Sequence, residues 1–385
     1  MEFMRRNYPP GFTYADFGPQ LTAEFFNATA WAELFRRSGA RYVVLTTKHH
    51  EGFTLWPSAY SANWNALDVG PKRDIVGEVA AAVRGAGLRF GAYHSMMEWF
   101  HPLYKAEKAA NWSTDQFVRL KIRPELEELV SAYQPDVLWS DGDGEAPDTY
   151  WNSTDFLAWL YNDSPVREKV VTNDRWGDGT SQKHGGFFVG PDRFNPGVLQ
   201  AHKWENAMTL DTQSWGFRRE ATLAEYMTIE GLLEELVSTV SCGGNLLVNV
   251  GPTRDGRIVP VFEERLLQLG DWLAVNGEAI YSSRPFARCQ NDTVSKGVWY
   301  TEQKEGNKTT TVYGIALSWP ASGKLEFGCI KPEEVASVHM LGSASSAEKK
   351  LVTEKGLKGG TVVHFPQWSP LMKAKYAFAF KFSLL

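Results

Sequence analysis

Long apolar runs are absent from this sequence of 385 residues. No segment approaches the roughly 20 consecutive apolar residues that a transmembrane helix needs, so we expect no membrane span. Basic residues are not in excess either, because 40 Lys and Arg stand against 45 Asp and Glu, which leaves no electrostatic footprint for a nucleic acid. Cysteine is scarce. Cys242, Cys289 and Cys329 allow one disulfide at most, which excludes a disulfide-rich scaffold.

Tryptophan, in contrast, is abundant, with 15 residues. Its flat apolar face and its N–H group suit sugar rings, although most Trp side chains of any protein serve the core. Asn-X-Ser/Thr sequons exceed the number expected by chance and favour a glycoprotein that is secreted or lysosomal. The start, MEFMRRNYPP, has no apolar segment, so we expect no signal peptide within this chain. The candidate glycosylation sites are Asn27, Asn111, Asn152, Asn162, Asn291 and Asn307.

Apolar segments alternate with amphipathic helices over residues 1–282, which predicts an α/β fold of the (β/α)8-like TIM barrel type. The helix predicted over 74–86 is typical, with Ile75 and Val79 on one stripe and Gly87 as its stop. The candidate barrel strands are 42–47, 89–94, 136–140, 169–173 and 245–250.

The pattern changes after residue 282. Short apolar segments separated by turn residues predict a C-terminal antiparallel β-sandwich domain over residues 283–385. The candidate sandwich strands are 298–301, 311–317, 324–327, 337–341, 361–365 and 375–382.

Polar and aromatic residues follow four of the predicted barrel strands, in the stretches KHHEG, YHS, WSDGD and NDRW. Because the carboxyl ends of the strands carry the active site of a (β/α)8 barrel, we expect these stretches to meet in one site.

Acidic side chains are concentrated in the stretch LWSDGDGEAPDTYW: Asp141, Asp143, Glu145 and Asp148. A calcium loop of the EF-hand type would need Gly and Glu where this chain has Ala146 and Asn152, so it is not expected. Strand alternation places Trp139 and Asp141 on the same face, which favours Asp141 as a catalytic carboxylate. The other three acids are predicted to lie at the rim or in a solvent-facing turn.

Glycoside hydrolysis needs a second carboxyl group, about 5–5.5 Å away in retaining enzymes and roughly 6.5–9.5 Å away in inverting ones. Among the candidates, Asp174 precedes Arg175, which suits an ionised or structural carboxylate better than an acid. Asp192 lies in the Gly- and Pro-rich loop GGFFVGPDRFNPG, and Glu205 follows a Trp in HKWE. The residues alone leave Asp192 and Glu205 open; Asp211 is a further candidate.

The adjacent pair His49 and His50 raises the alternative of a metal-dependent barrel hydrolase that uses one of them with Asp141. Adjacent strand residues point to opposite faces, so a metal site on a strand would use His-X-His instead. The pair therefore favours the binding of sugar hydroxyls.

Ten stretches in order resemble the animal α-L-fucosidases (glycoside hydrolase family 29), and most of all their secreted, plasma-type branch. They are YPPGFTYADFGPQ, VVLTTKHHEGF, GPKRDIVGE, GAYHSMMEWFHPLY, VLWSDGD, YWNSTDFLAWLYNDSPV, VVTNDRWG, HKWEN, CGGNLLVNVGPTRDG and VNGEAIY. The resemblance is strong over residues 7–282 and looser beyond. It implies a retaining glycosidase with a barrel and a C-terminal β-sandwich.

The resemblance also implies roles for single residues. Asp141 matches the nucleophile, and Asp192 matches the preferred position of the acid/base, for which Glu205 competes. The residues that match fucose-binding or neighbouring positions of the family are His49, His50, Tyr93, Trp139 and Arg175.

Two departures from the family pattern bear on activity. The family's first barrel strand lies upstream of the segment that matches residues 1–6, so we expect at most seven barrel strands here, counting weak ones near Phe187 and His202. Relatives also carry Cys in the loop before Asp192, where this chain has Gln182 and Gly190. A catalytically inactive or fucose-binding variant is therefore the alternative to an active enzyme.

We expect an exo-acting α-L-fucosidase that hydrolyses terminal α-L-fucose of glycoprotein or glycolipid glycans with retention. It would need no metal and no organic cofactor. Fucosylated glycans are the expected partners, without nucleic acid or membrane, and a homo-oligomer is left open.

Overall fold

The computed structural model describes residues 2–343 and 350–385. The described chain forms two compact units. The first contains the residues up to Arg36, Ala40–Gly190 and Gly251–Val259; the second contains Arg37–Gly39, Pro191–Val250 and Pro260–Leu385. The domain boundary between residues 282 and 283 remains a prediction.

The first unit is built on a four-stranded parallel sheet in the order β1-β2-β3-β4. Its central strands are buried on both faces, as expected of parallel strands covered by helices. The strands are β1 (Tyr42–Lys48), β2 (Arg89–Ser95), β3 (Val137–Asp141) and β4 (Val171–Thr172).

Helices connect these strands. The predicted helix 74–86 is confirmed as Ile75–Gly85, where the side chain of Asp74 accepts a hydrogen bond from the Gly77 N–H at 2.9 Å. The chain leaves this helix through Gly87 in the left-handed conformation (φ +78°), which glycine adopts without strain. The helices are α1 (Glu2–Asn7), α2 (Ala28–Arg37), α3 (Ile75–Gly85), α4 (Pro102–Ala109), α5 (Arg123–Tyr133), α6 (Asp148–Trp151) and α7 (Ser153–Asn162).

The second unit contains the parallel pair β5 (Trp204–Thr209) and β6 (Gly244–Asn249), joined through helix α8 (Ile229–Ser241) and followed by α9 (Pro260–Asn276). Trp204 lies opposite Gly244 in the register of the pair. A Cβ atom on Gly244 would lie 2.4 Å from the Trp204 ring, so the indole packs on bare backbone there.

The C-terminal part of this unit consists of a five-stranded antiparallel sheet, β11-β14-β9-β8-β7, and a three-stranded one, β10-β13-β12. The sheets pack face to face, because the ring of Phe327 on one lies 5.0 Å from that of Phe382 on the other. The disulfide Cys289–Cys329 joins two loops of this part. The strands are β7 (Arg284–Pro285), β8 (Val298–Glu305), β9 (Lys308–Ala316), β10 (Lys324–Phe327), β11 (Val335–Met340), β12 (Thr353–Lys355), β13 (Thr361–His364) and β14 (Phe378–Leu384).

The predicted architecture agrees with these elements, although β7 and β12 were not predicted and two details of the first unit differ. The strand predicted over 169–173 is reduced to Val171–Thr172, and Phe187 lies in a loop rather than in a weak strand. The described residues therefore supply six parallel strands, β1–β6. No helix of the described chain is long and apolar enough to cross a bilayer.

Candidate active site

Asp141 is the last residue of β3, and its carboxylate is surrounded by three of the predicted site residues. The Tyr93 hydroxyl donates a hydrogen bond to Oδ2 at 2.6 Å, and His50 Nε2 lies 3.7 Å from the same oxygen. Arg175 Nη1 donates to Oδ1 at 3.4 Å. Hydrogen bonds thus hold both carboxylate oxygens. Because the side chain is still 14% exposed, a ligand can reach it.

Trp139 forms a wall beside this carboxylate. Its buried ring stacks on Tyr93, with centroids 5.4 Å apart, and the Arg175 guanidinium lies over it at 5.1 Å. Arg175 is fixed from behind, because its Nη2 donates to the Gly190 carbonyl at 2.9 Å. Trp139 and Asp141 thus contact the same arginine, as strand alternation predicts.

His49 and His50 both lie in this group of side chains. Strand β1 ends at Lys48, so the rule that adjacent strand residues diverge does not apply to the pair. Their rings are 3.9 Å apart, and His49 lies nearly parallel to Tyr93 at 5.9 Å. The more exposed His49 is the outer member of the pair and His50 the inner one.

His50 is held in one tautomer by Ser95. The Ser95 hydroxyl gives its single proton to the Met97 carbonyl at 3.0 Å, so it accepts from His50 Nδ1 at 2.6 Å. Burial, and next to it the neighbouring His49, lowers the pKa of His50 to about 4. At neutral pH, His50 Nε2 is therefore an unprotonated acceptor that lies on the Asp141 side of the ring.

Two of the remaining acids of the LWSDGDGEAPDTYW stretch are partly exposed, Asp143 at 30% and Glu145 at 21%, and both lie near basic side chains. Asp143 lies 3.9 Å from Arg175 Nε, and its pKa is raised to about 6, mainly by burial and further by Asp141, while Arg175 opposes the rise. Glu145 accepts from Trp99 Nε1 at 3.2 Å and from Lys108 Nζ at 2.6 Å.

Two candidates for the second carboxyl group are structural. Asp174 is buried and accepts from the Gln182 and Val189 N–H groups at 2.7 and 3.0 Å, so it fixes the loop between them. Asp211 is buried and paired with the guanidinium of Arg218 at 2.8 and 2.9 Å.

The two preferred candidates differ in environment. Asp192 is exposed, in the loop that follows Gly190. Glu205 is buried on β5, where it accepts from Asn245 Nδ2 at 3.2 Å. Asp192 can therefore exchange a proton with solvent or ligand directly, whereas Glu205 is enclosed by its strand neighbours.

The six sequon asparagines are all exposed, which leaves each accessible to a glycan. Within residues 2–343 and 350–385, no group of three or more His, Cys, Asp or Glu side chains has the arrangement of a metal site. Sequence reasoning missed Trp99 and Ser95 as site residues, although Ser95 ends the recognised stretch YHS and Trp99 follows it four positions later. The side chains of both residues contact His50, and the sequence alone does not show this contact.

Two protein-family models match the chain. The model described as alpha-L-fucosidase covers residues 1–278, and the one described as alpha-L-fucosidase C-terminal domain covers residues 290–383. The chain belongs to the α-L-fucosidase family. It is a glycoside hydrolase with the family fold, a (β/α)8-like barrel followed by an antiparallel β-sandwich, as expected.

Individual relatives support this assignment. An α-L-fucosidase of Branchiostoma floridae is 58% identical over 357 residues, which are 92% of this chain and 78% of that protein. The plasma α-L-fucosidase of Homo sapiens is 62% identical over 329 residues, 85% of this chain and 70% of the relative. The crystal structure of a Thermotoga maritima α-fucosidase in complex with fucose matches with a TM-score of 0.78 at 30% identity, covering 99% of this chain and 84% of that one. For this α-L-fucosidase family member, a non-catalytic binder or a metal-dependent hydrolase is not favoured.

Proposed function

We propose that this chain is a retaining exo-α-L-fucosidase, which hydrolyses terminal α-L-fucose of glycoprotein or glycolipid glycans. The observation that carries the proposal is the carboxylate of Asp141, which is held at the end of β3 by hydrogen bonds from Tyr93 and Arg175, with His50 beside it. Such a carboxylate beside an aromatic wall can act as the nucleophile of a double displacement.

In the first step, Asp141 attacks the anomeric carbon and forms a glycosyl ester, while the bond to the leaving oxygen breaks. Asp192, protonated at the start, gives its proton to that oxygen. In the second step, Asp192 accepts a proton from water, the water attacks the anomeric carbon, and the ester bond breaks to release fucose and free Asp141.

Tyr93 and Arg175 orient the nucleophile. Each donates to a different carboxylate oxygen, so rotation of the Asp141 side chain would break both contacts. Each oxygen keeps a further lone pair for the anomeric carbon. This orientation brings the reacting atoms together before bond formation, which is a large part of catalysis by positioning.

His49 and His50 are assigned to fucose hydroxyls. His50 Nε2 can accept a hydrogen bond from a fucose hydroxyl at neutral pH, because Ser95 keeps the ring proton on Nδ1. Tyr93 and Trp139 are assigned to the wall of the fucose position, where they would contact the sugar through their ring edges, because their faces stack on each other, on His49 and on Arg175.

The nucleophile is tested by Asp141→Gly on an aryl α-L-fucoside. We expect turnover to be lost and to be restored in part by added azide, with an α/β assignment of the fucosyl azide by NMR as the second readout. Asp148→Asn, in the same acidic stretch but at the start of α6, is the matched control and should remain active. Retention of most activity by Asp141→Gly would show that another residue attacks.

The acid/base is tested with paired variants, Asp192→Ala and Glu205→Ala. Loss of the acid should slow substrates with poor leaving groups far more than activated aryl fucosides, because only the former need a proton. We assign the role to Asp192 because it is exposed on a loop. If the selective loss appears in Glu205→Ala instead, the role passes to Glu205.

A secretory destination, outside the cell or in the lysosome, is proposed for this protein. The six exposed sequons and the disulfide Cys289–Cys329 support it, since both modifications are made in the oxidising secretory pathway. Sedimentation of the purified protein would decide between a monomer and a homo-oligomer.

A further inference from the structure

Three large aromatic side chains are exposed near one another in the first unit. Trp99, Phe100 and Tyr14 are 48%, 49% and 44% exposed, and we call these three residues the aromatic rim. The rings of Tyr14 and Phe100 stack with centroids 4.9 Å apart and an interplanar angle of 21°. Clustered exposed aromatic surface of this kind is unfavourable in water and commonly marks a binding site.

Trp99 is held rigidly in its exposed position. Its backbone N–H donates to the His50 carbonyl at 2.8 Å, and its indole N–H donates to Glu145 Oε1 at 3.2 Å. Glu145 is itself held by Lys108 Nζ at 2.6 Å and by the Tyr104 hydroxyl. The indole therefore needs no ordering when a ligand arrives, which favours binding.

The aromatic rim lies next to the reacting carboxylate. The Trp99 ring is 4.6 Å from the His50 ring, and His50 Nε2 is 3.7 Å from Asp141 Oδ2. The side chains of Asp141 and His50 are 14% and 13% exposed, against 48% for Trp99, so the surface opens to solvent at Trp99. A sugar that occupies the inner position against Asp141 has its linked neighbour further out, on the side where the aromatic side chains are exposed.

We propose that the aromatic rim binds the pyranose ring to which the fucose is attached, with the apolar face of that sugar on Trp99. The inference rests on the proposed fucosidase function and extends it to the leaving group. A neutral sugar fits the local charge, because the carboxylate beside Trp99 is paired with Lys108. Aromatic faces of this type pack on the C–H face of pyranoses while the hydroxyl edges stay in water.

The test compares two substrates of the full chain. α-L-Fucosyl fluoride has a leaving group of one atom, which cannot reach the aromatic rim. The second substrate is the α1-3, α1-4 or α1-6 fucosyl-N-acetylglucosamine disaccharide that the wild-type protein hydrolyses fastest. For Trp99→Ala we expect kcat/KM to fall roughly five- to tenfold on the disaccharide and to stay near wild type on the fluoride.

Phe100→Ala should show the same selectivity with a smaller loss. The inhibition constant of free L-fucose should remain unchanged in both variants. Phe25→Ala is the matched control, because Phe25 is an exposed aromatic (57%) whose ring packs on Arg257 at 4.7 Å. It should leave both substrates unaffected.

The outcomes are distinguishable. Equal losses on both substrates in Trp99→Ala would mean that Trp99 acts through His50 on the fucose position, and would overturn the inference. Unchanged kcat/KM on both substrates would overturn it as well. If Trp99→Ala does not fold, Trp99→Leu and Phe100→Ala decide by the ratio of kcat/KM on the disaccharide to kcat/KM on the fluoride. Failure of the wild-type protein to hydrolyse the fluoride would refute the proposed function itself, independently of the ratio.

Discussion

Glu125 is the centre of a buried charge network, and its neutralisation is the sharpest stability test that the structure offers. The carboxylate is fully buried on α5 and accepts from Lys48 Nζ at 3.0 Å and from Lys121 Nζ. The Ser61 hydroxyl donates to it at 2.8 Å. Glu98 is the second buried carboxylate and lies 2.7 Å from Lys48 Nζ and 3.0 Å from Lys121 Nζ. Two ammonium groups thus face two carboxylates.

Glu125→Gln keeps the size of the side chain but removes its charge and replaces one of its two acceptor oxygens with an NH2 donor. Lys48 and Lys121 are then opposed by Glu98 alone, and one buried positive charge is left without compensation. Breaking a buried ion pair from one side costs about 3–5 kcal/mol in the free energy of unfolding. For a unit of this size, such a loss lowers the melting temperature by roughly 10 °C.

The direction of the pH dependence follows from the same contacts. Burial raises the pKa of Glu125, but Lys48 and Lys121 outweigh it and hold the pKa well below the ordinary value. A carboxyl group with a lowered folded-state pKa stabilises fully above its unfolded pKa, and this contribution is lost as the pH falls from there through the folded-state pKa. Glu125→Gln should therefore be most destabilising near neutral pH and converge with wild type in acid.

Differential scanning calorimetry and chemical denaturation, at neutral pH and in acid, measure both effects. Glu127→Gln is the matched control, because Glu127 lies on the same helix and pairs with Arg123 at the surface. A partly exposed pair of this kind contributes roughly 0–1 kcal/mol, so its variant should melt within about 2 °C of wild type. A Glu125→Gln protein as stable as Glu127→Gln would refute the reasoning from buried charge.

Three further predictions concern other parts of the chain. Burial, and then Lys48, lowers the pKa of His94 to about 3. Between pH 7 and pH 5 the unfolded chain therefore binds a proton at this histidine that the folded chain does not. The free energy of unfolding should fall by about 2 kcal/mol over this range. His94→Gln should flatten this slope in denaturation curves, while the exposed His184→Gln should leave it intact. The disulfide Cys289–Cys329 closes a loop with a sequence separation of 40, so its reduction should lower the free energy of unfolding of the C-terminal sheets by about 3–4 kcal/mol. A variant with Ser at both positions and an unchanged melting curve would contradict this prediction. Enzymatic release of N-glycans from the secreted protein should convert each glycosylated Asn to Asp, which peptide mass spectrometry detects. A sequon that shows no conversion is unoccupied. The candidates are Asn27, Asn111, Asn152, Asn162, Asn291 and Asn307.

The position of Asp141 could be predicted from the sequence because it depends on a local rule. Alternation along one strand relates it to Trp139, and the observed β3 lies within one residue of the prediction. The same rule gives no information on His49 and His50, because β1 ends at Lys48, directly before the pair. Site residues that lie within a strand could therefore be placed correctly, and this rule stops where the strand ends.

Glu145 and Asp143 could not be predicted because their partners are distant in sequence. Asp143 lies near Arg175, and Glu145 is paired with Lys108, 37 residues away. An acidic stretch without its partners has the pattern of a solvated turn. Burial and charge pairing of such residues are properties of the tertiary structure.

Lys48 shows how the same non-local contacts reach the active site. It directly precedes His49, and its ammonium group lies in the buried network with Glu98, which directly precedes Trp99. The Trp99 N–H in turn donates to the His50 carbonyl at 2.8 Å. One ion pair therefore fixes the two points of the backbone from which the histidine pair and the indole extend. Loosening the network should displace these rings together, so Glu125→Gln, if it folds, should lose catalytic efficiency as well as stability.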